Sequence, residues 1–305
     1  MTQTPHDKPA NTPPDPDHEP IVTETADPTV YDKAPTEPKL HLIRRWILRI
    51  TLALTILSPL VFILAGLGAK IGLWSWQFGL GTLTREVGPI LLIATAVMGL
   101  IALLAGLLIK PRKGLIIAIF ALIIPVIAFA QLSATRAKVA SLPFIHDITT
   151  DTQDPPVFGS VIMAERDATD GVNTVDYAGK RARTSERDSN GEPVMKLVSA
   201  LQTQAYPEIR TLVLSEAPDV AFGRAEQVAR NMGWTIKETD PAGGRIDATA
   251  ETFWYGFKDD VTIRLRPAQG DGTRVDIRST SRVGGSDLGA NAERIGKFLD
   301  AMTEG

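Results

Sequence analysis

Hydrophobic and polar positions follow three different periods along this chain, and each period predicts a different kind of element. Residues 46–67, 88–109 and 115–132 are almost uninterruptedly apolar. A bilayer core about 30 Å thick takes roughly 20 apolar helical residues to cross. Unpaired backbone groups are excluded there, so these runs predict three transmembrane helices. Small residues recur at four-residue spacing (Ala65 with Ala69, Gly68 with Gly72, Ala102 with Gly106), which suits close helix packing. Further on, Val220, Ala221, Ala225, Val228, Ala229 and Met232 form a helical stripe over 218–232, closed by Gly233. Strand-like runs follow at 234–239, 245–252, 260–266 and 273–282, with PAGG and QGDG turns separating the first pair and the last pair. Helical spacing returns over 288–302. Residues 193–204 predict a short helix, 205–214 an extended stretch, and 172–190 a polar loop. The fold class expected is a three-helix membrane anchor followed by an α+β soluble domain, with a four-stranded antiparallel sheet between helices. The domains are then 1–38 (tail), 39–135 (anchor) and 136–305 (folded domain).

Composition refines this picture. Residues 1–38 mix Pro, Thr, Asp and Glu without apolar periodicity, which predicts a disordered tail. A first apolar run that follows so long a polar tail, and is long enough to span, predicts a retained anchor rather than a cleaved leader. Lys39, Arg44, Arg45 and Arg49 open the first span, and Lys110, Arg112 and Lys113 fill the turn between the second and third. The other side has Lys70, Arg85, Arg136 and Lys138. This bias predicts a cytoplasmic N-terminus and, with three spans, an extracytoplasmic C-terminal domain. No ionisable residue lies deep in a span, which argues against a transporter. The net charge of −3 argues against nucleic acid as a partner. The chain has no cysteine, which removes disulfides, thiol catalysis and thiolate metal sites. Four histidines, of which only His146 follows the spans, leave little for imidazole chemistry. No cofactor is expected.

Four stretches carry candidate chemistry. In strand alternation Arg264 and Arg266 share a face, as do Arg274, Asp276, Arg278 and Arg282, with Arg245, Asp247 and Glu251 on the neighbouring strand. Arg264, Arg266, Arg278 and Arg282 are therefore candidate ligands for an anion or lipid headgroup, because guanidinium matches phosphate and carboxylate. The competing reading is a solvated face of cross-strand ion pairs. The stretch SRVGGSDLG offers backbone N–H groups to an anion, but Ser286 or Asp287 serves more simply as a helix cap. His146, Asp147 and Asp151, with Asp154, form the candidate metal set, and docking of this segment on the domain is the competing account. In TFWYGFKDD, Trp254 and Tyr255 are candidate pocket or membrane-surface residues. The adjacent Asp259 and Asp260 face opposite ways in a strand and do not form an acid–base pair.

The stretches PFIHDITTDTQDPPVF, NTVDYAG, QAYPEIRTL, TFWYGFKDDVTIRLR and VDIRSTSRVGGSDLGANAERI occur together and in this order. As a set they resemble the bacterial family of unknown function numbered 1499, in the subgroup with N-terminal membrane helices. The resemblance implies a folded domain from about residue 142 and an envelope setting, and it implies no activity. Family members carry an Asn-Cys-Val-Ser-Ser-like stretch near the start of the domain, which this chain lacks. Three function classes follow. The leading one is an extracytoplasmic binding or interaction module that meets the lipid bilayer and a lipid-like or anionic ligand or another envelope protein. An assembly subunit without a small ligand is the alternative, and an enzyme of unrecognised class is third.

Overall fold

A computed structural model describes residues 39–304, so the tail predicted over 1–38 lies outside the described residues. Helix α1 (Lys39–Lys70) is followed by a π-helical stretch (Gln77–Val87) that runs directly into α2 (Gly88–Leu108), and then by α3 (Leu115–Ser141). These make three helices long and apolar enough to cross a membrane, the second spanning Gln77–Leu108 as one rod. Their surfaces are inverted relative to a water-soluble bundle. Ile56, Ile63, Leu64, Ile93, Leu100 and Ile119 point outward, whereas Ala65, Gly66, Gly68, Ala102, Gly106, Ala118 and Ala121 lie inside. In lipid, apolar contact alone drives no association, so close backbone approach and internal hydrogen bonds take over. A Cβ at Gly99 would meet that of Ala121 at 2.9 Å. Thr51 Oγ1 donates to the carbonyls of Ile47 and Met98, and Thr95 Oγ1 to those of Leu91 and Leu54. Arg44 donates to the carbonyls of Ile109 and Pro111, closing the far end of α2 against α1.

Helix α3 continues past the apolar run at 115–132 through SATRAKVAS to Ser141, beyond the anchor boundary expected at residue 135. Ala, Arg, Lys and Ser are compatible with helix, and the rod already nucleated in the span propagates through them. The remaining elements are β1 (Asp147–Thr149), α4 (Ser160–Asp167), β2 (Arg181–Arg187), β3 (Pro193–Leu197), α5 (Val198–Ala205), β4 (Leu212–Leu214), α6 (Pro218–Asn231), β5 (Thr235–Asp240), β6 (Arg245–Glu251), β7 (Lys258–Pro267), β8 (Thr273–Ser281) and α7 (Ala290–Thr303).

The sheet has six strands rather than the expected four. Strands β5 to β8 form the predicted antiparallel meander, and β1 and β4 both add to the outer edge of β8. Strand β4 pairs with Thr273–Val275 and β1 with Arg278–Thr280. Three-residue strands are too short to display an alternation, so their edge pairing was not visible in the pattern. Residues 181–197 form a separate two-stranded hairpin where a loop and the start of a helix were expected. Its RARTSER strand is largely exposed and carries no apolar alternation.

One face of the sheet is apolar. Ile246, Ala248, Val261, Ile263, Val275 and Ile277 pack beneath Ala221, Phe222, Ala225 and Ala229 of α6 and Ile295, Phe298 and Met302 of α7. Trp234 stacks on Phe298 with ring centroids 5.7 Å apart. At one end of the sheet, the β6–β7 loop, the start of β1 and the end of β8 come together. Thr252 N–H donates to Phe257 O, Ser281 N–H to His146 O, and Arg282 N–H to Lys258 O. That end meets the three long apolar helices. Lys70 at the end of α1 pairs with Glu251 at 3.6 Å, and Thr84 shares a 2.6 Å hydrogen bond with the Tyr255 hydroxyl.

Candidate functional site

The charged face of the sheet is covered. Residues 150–175 cross it, and their carbonyls and side chains meet nearly every arginine and aspartate beneath. Asp276, fully buried, receives hydrogen bonds from Arg264 at 3.1 Å, Arg266 at 3.1 Å and Arg274 at 3.2 Å. Asp151 and Asp154 close this group from above, through 2.7 Å to Arg274 and 2.9 Å to Arg266. Burial opposes ionisation of Asp276, but hydrogen bonds from Thr211, Arg264 and Arg274 outweigh it and hold its carboxyl below the usual range. Arg278 forks onto Asp147 with two bonds of 2.9 Å and also donates to the Pro156 and Val175 carbonyls. Arg282 and Arg166 converge on Asp260, each at 2.7 Å, and Arg282 reaches Glu165 at 2.7 Å.

Arg264, Arg266, Arg278 and Arg282 are thus divided among three separate ion-paired groups and present no common open platform. Arg278 and Arg282 are buried, and only Arg266 keeps a substantial exposed fraction, 39% of its side chain. Asp259 and Asp260 do face opposite ways: Asp259 pairs with Arg294 of α7 at 2.6 Å. The metal set does not converge either. Asp147 is held by Arg278 and Lys180, Asp151 turns to Arg274, and among the described residues no three His, Asp or Glu side chains are placed to hold a metal ion. The N-cap position of α7 falls to Gly289 rather than to Ser286 or Asp287, although the Asp287 carboxylate, two residues earlier, accepts from the N–H groups of Gly289 and Asn291. Burial nevertheless pushes the Asp287 pKa up.

Trp254 and Tyr255 belong to the contact between the folded domain and the long apolar helices, well apart from the arginines of the Asp276 group. A Cβ on Gly66 would come 2.9 Å from the Trp254 ring, so glycine makes room for the indole. Phe257 meets Trp76 edge to face at 5.6 Å and stacks on Tyr255 at 5.7 Å.

Two adjoining hollows lie along the stretch from the end of α3 to the start of β1. One hollow of 260 Å³ is bounded by Phe144, His146, Lys180, Ala182, Met195 and Gly285, and a second of 530 Å³ by the last turn of α3, the β2–β3 hairpin and α5. They share Phe144 and Arg183. Arg183 lays its guanidinium over the Phe144 ring at 3.9 Å, a cation–π contact, and among the described residues it has no hydrogen bond or ion pair. Lys180 is committed. It donates to the Thr174 carbonyl at 3.0 Å, lies 3.1 Å from His146 Nε2 and 3.5 Å from Asp147. Burial lowers the pKa of Lys180. Burial and then the Lys180 charge lower that of His146, whose Nδ1 faces Gly285 O at 3.3 Å. Neutral His146 with its proton on Nδ1 satisfies both contacts. Neither Lys180 nor Arg183 stood out in the sequence, because both lie in the 172–190 stretch that shows no apolar pattern. Phe144 was quoted only as part of the PFIHD motif.

The family described as "Protein of unknown function (DUF1499)" matches residues 147–302, just over half of the chain. The chain belongs to the DUF1499 family. The matched DUF1499 region runs from β1 into α7. It therefore takes in the whole sheet, its charged cover and the aromatic loop, and leaves the three long helices outside. Phe144, on the shared wall of the two hollows, lies just before the DUF1499 match, whereas Lys180 and Arg183 lie within it. No curated protein matches the chain.

Proposed function

We propose that this DUF1499 protein is a membrane-anchored binding module of the bacterial envelope. In this reading its folded domain stands on the outer side of the cytoplasmic membrane and takes an amphipathic anion in the double hollow. The observation that carries the reading is Arg183: a guanidinium with unused donors, on the wall shared by two hollows, against apolar side chains. Guanidinium suits a phosphate or carboxylate, and Phe144, Ala182, Met195 and Val198 suit an apolar tail. The larger hollow adjoins the last turn of α3, Val139–Ser141, only about 10 Å of helix beyond its apolar run, so a ligand drawn from the bilayer has a short path. Lys180 has an acceptor for each of its three N–H donors, which favours a positioning role over nucleophilic chemistry. The outward orientation is supported by the excess of Lys and Arg at the N-terminal end of α1 and in the α2–α3 turn.

Native mass spectrometry of the full-length protein, extracted gently from its own membrane, tests the reading. A bound mass present on the wild type and lost in Arg183→Ala is the expected result. A wild-type protein that carries nothing, and takes up neither phosphatidylglycerol nor a fatty acid when these are added, overturns it. A phosphatase fused to the C-terminus should be active, and an inactive but intact fusion overturns the orientation.

A further inference from the structure

We infer that the β6–β7 loop is a lipid-contacting element, in which Phe253 and Trp254 lie among the headgroups of the bilayer that the three helices cross. The two rings meet edge to face at 4.9 Å and remain 68% and 46% exposed, although other large aromatics of the folded domain, such as Phe222, Trp234 and Phe298, are buried. Their position is fixed against a membrane helix. Trp254 packs on Gly66, one turn before the end of α1 and within the apolar run, so the loop reaches below the charged end of that helix. Lys70, at that end, sits 5.4 Å from the Phe253 ring and 3.6 Å from Glu251, which keeps its charge at the level where headgroups lie. Trp74, bonded to the Ala65 carbonyl, and Trp76, against Phe257, lie beside the same end of α1, and aromatic rings with charged neighbours favour this depth in a bilayer.

The backbone is shaped to hold the rings there. Tyr255 (φ 62°) and Gly256 (φ 64°) both adopt the left-handed region, turning the chain sharply so that the Tyr255 hydroxyl can bind Thr84. A non-glycine residue in that region carries strain, which the Thr84 bond and the Phe257 stack offset. Two exposed aromatics continuous with the lipid-facing surface of α1 have one occupant already at hand, the bilayer itself. This inference does not depend on a ligand in the hollows.

The cysteine-free chain makes the test direct. Full-length Phe253→Cys and Val213→Cys would each carry one nitroxide label in liposomes of phosphatidylethanolamine and phosphatidylglycerol. Val213 is the control, 65% exposed on β4 at the far end of the sheet, roughly 25–30 Å away along β8. The label at Phe253 should lose accessibility to a water-soluble nickel chelate and gain accessibility to oxygen, relative to the label at Val213. Equal nickel accessibility at both positions overturns the inference. Shielding of the Phe253 label from both reagents also overturns it, because a protein surface then covers the loop. Should labelling disturb the fold, brominated lipids supply a second reading. The emission difference between wild type and Trp254→Phe should be quenched, and an unquenched difference again overturns the inference.

Discussion

On the helix side of the central sheet, Val261, Ile263, Val275 and Ile277 disappear beneath Ile295 and Phe298; on the other side, Asp260, Thr262, Asp276 and Arg278 are buried just as deeply beneath an irregular segment. The first side is held by apolar area removed from water, worth about 25 cal/mol per Å² and indifferent to direction. The second is held by fixed pairings in which each buried charge needs its own partner. Equal depth therefore hides unequal tolerance. An apolar side chain can lose a methyl group and leave a small cavity, whereas a buried guanidinium that loses its carboxylate has no cheap alternative.

Asp260→Ala tests that difference at its widest. It leaves Arg166 without a carboxylate and Arg282 with Glu165 alone, both guanidiniums being nearly inaccessible to water, and should destabilise the protein by about 3–5 kcal/mol. Ile263→Val, at equal burial on the other face, should cost only about 0.5–1.5 kcal/mol. Chemical unfolding of the folded domain in the full-length, detergent-solubilised protein measures both. An Asp260→Ala loss no larger than that of Ile263→Val would mean that water enters the charged layer freely, and the contrast between the faces would fail.

Acid should separate the faces next. His146 neighbours the charged layer through Asp147 and Lys180, and burial followed by the Lys180 charge holds its pKa below 6.5. The unfolded chain then takes up a proton that the fold resists, so stability is level above about 6.5 and falls as pH drops from there towards the lowered value. Asp287, at the start of α7, works with the opposite sign. Its pKa is raised by burial, so it adds stability as pH falls through the raised value towards 3.8. Melting curves from pH 7.5 to 5.5 should decline in the wild type and flatten in His146→Gln, whose amide still offers Lys180 an acceptor. Parallel declines in the two proteins would remove His146 from the account.

The asymmetry between the faces also explains what was legible in the chain. Val261, Ile263 and Leu265 alternate cleanly with Thr262, Arg264 and Arg266, so the meander β5–β8 and the inward direction of its apolar set were readable. The helices α6 and α7 showed the matching stripes. The cover over the charged face was not readable, because a segment such as TDTQDPPVFGS binds through carbonyls and single carboxylates that follow no period. An arginine face with that cover and one without it look the same in sequence, and exposure was the wrong expectation for Arg278 and Arg282. The candidate hollow was hidden for a related reason. Lys180 and Arg183 come together with Phe144 and His146 only because the β2–β3 hairpin folds back, and a hairpin of mainly polar residues leaves no apolar alternation. The three long apolar helices, by contrast, were plain from apolar length alone, although the polar extension of α3 was not.

At the rim of the charged layer the two chemistries should become hard to tell apart. Arg266 shares Asp276 and Asp154 with Arg264, but keeps 39% of its side chain in water, and Asp154 is more open still. Screening by water and salt reduces what such a pair contributes, even though the Arg266 hydrogen bond and the Arg264 charge lower the Asp154 pKa. Asp276 also retains Arg264 and Arg274 if Arg266 is removed, so no buried charge is left alone. Arg266→Ala should therefore give the smallest loss of these variants, and the difference from wild type should shrink as sodium chloride rises from 0.05 to about 1 M, where the screening length falls to roughly 3 Å. A large loss that persists at high salt would place Arg266 with Arg282 as part of the buried layer, and would move the boundary between tolerant and intolerant positions out to the surface of β7.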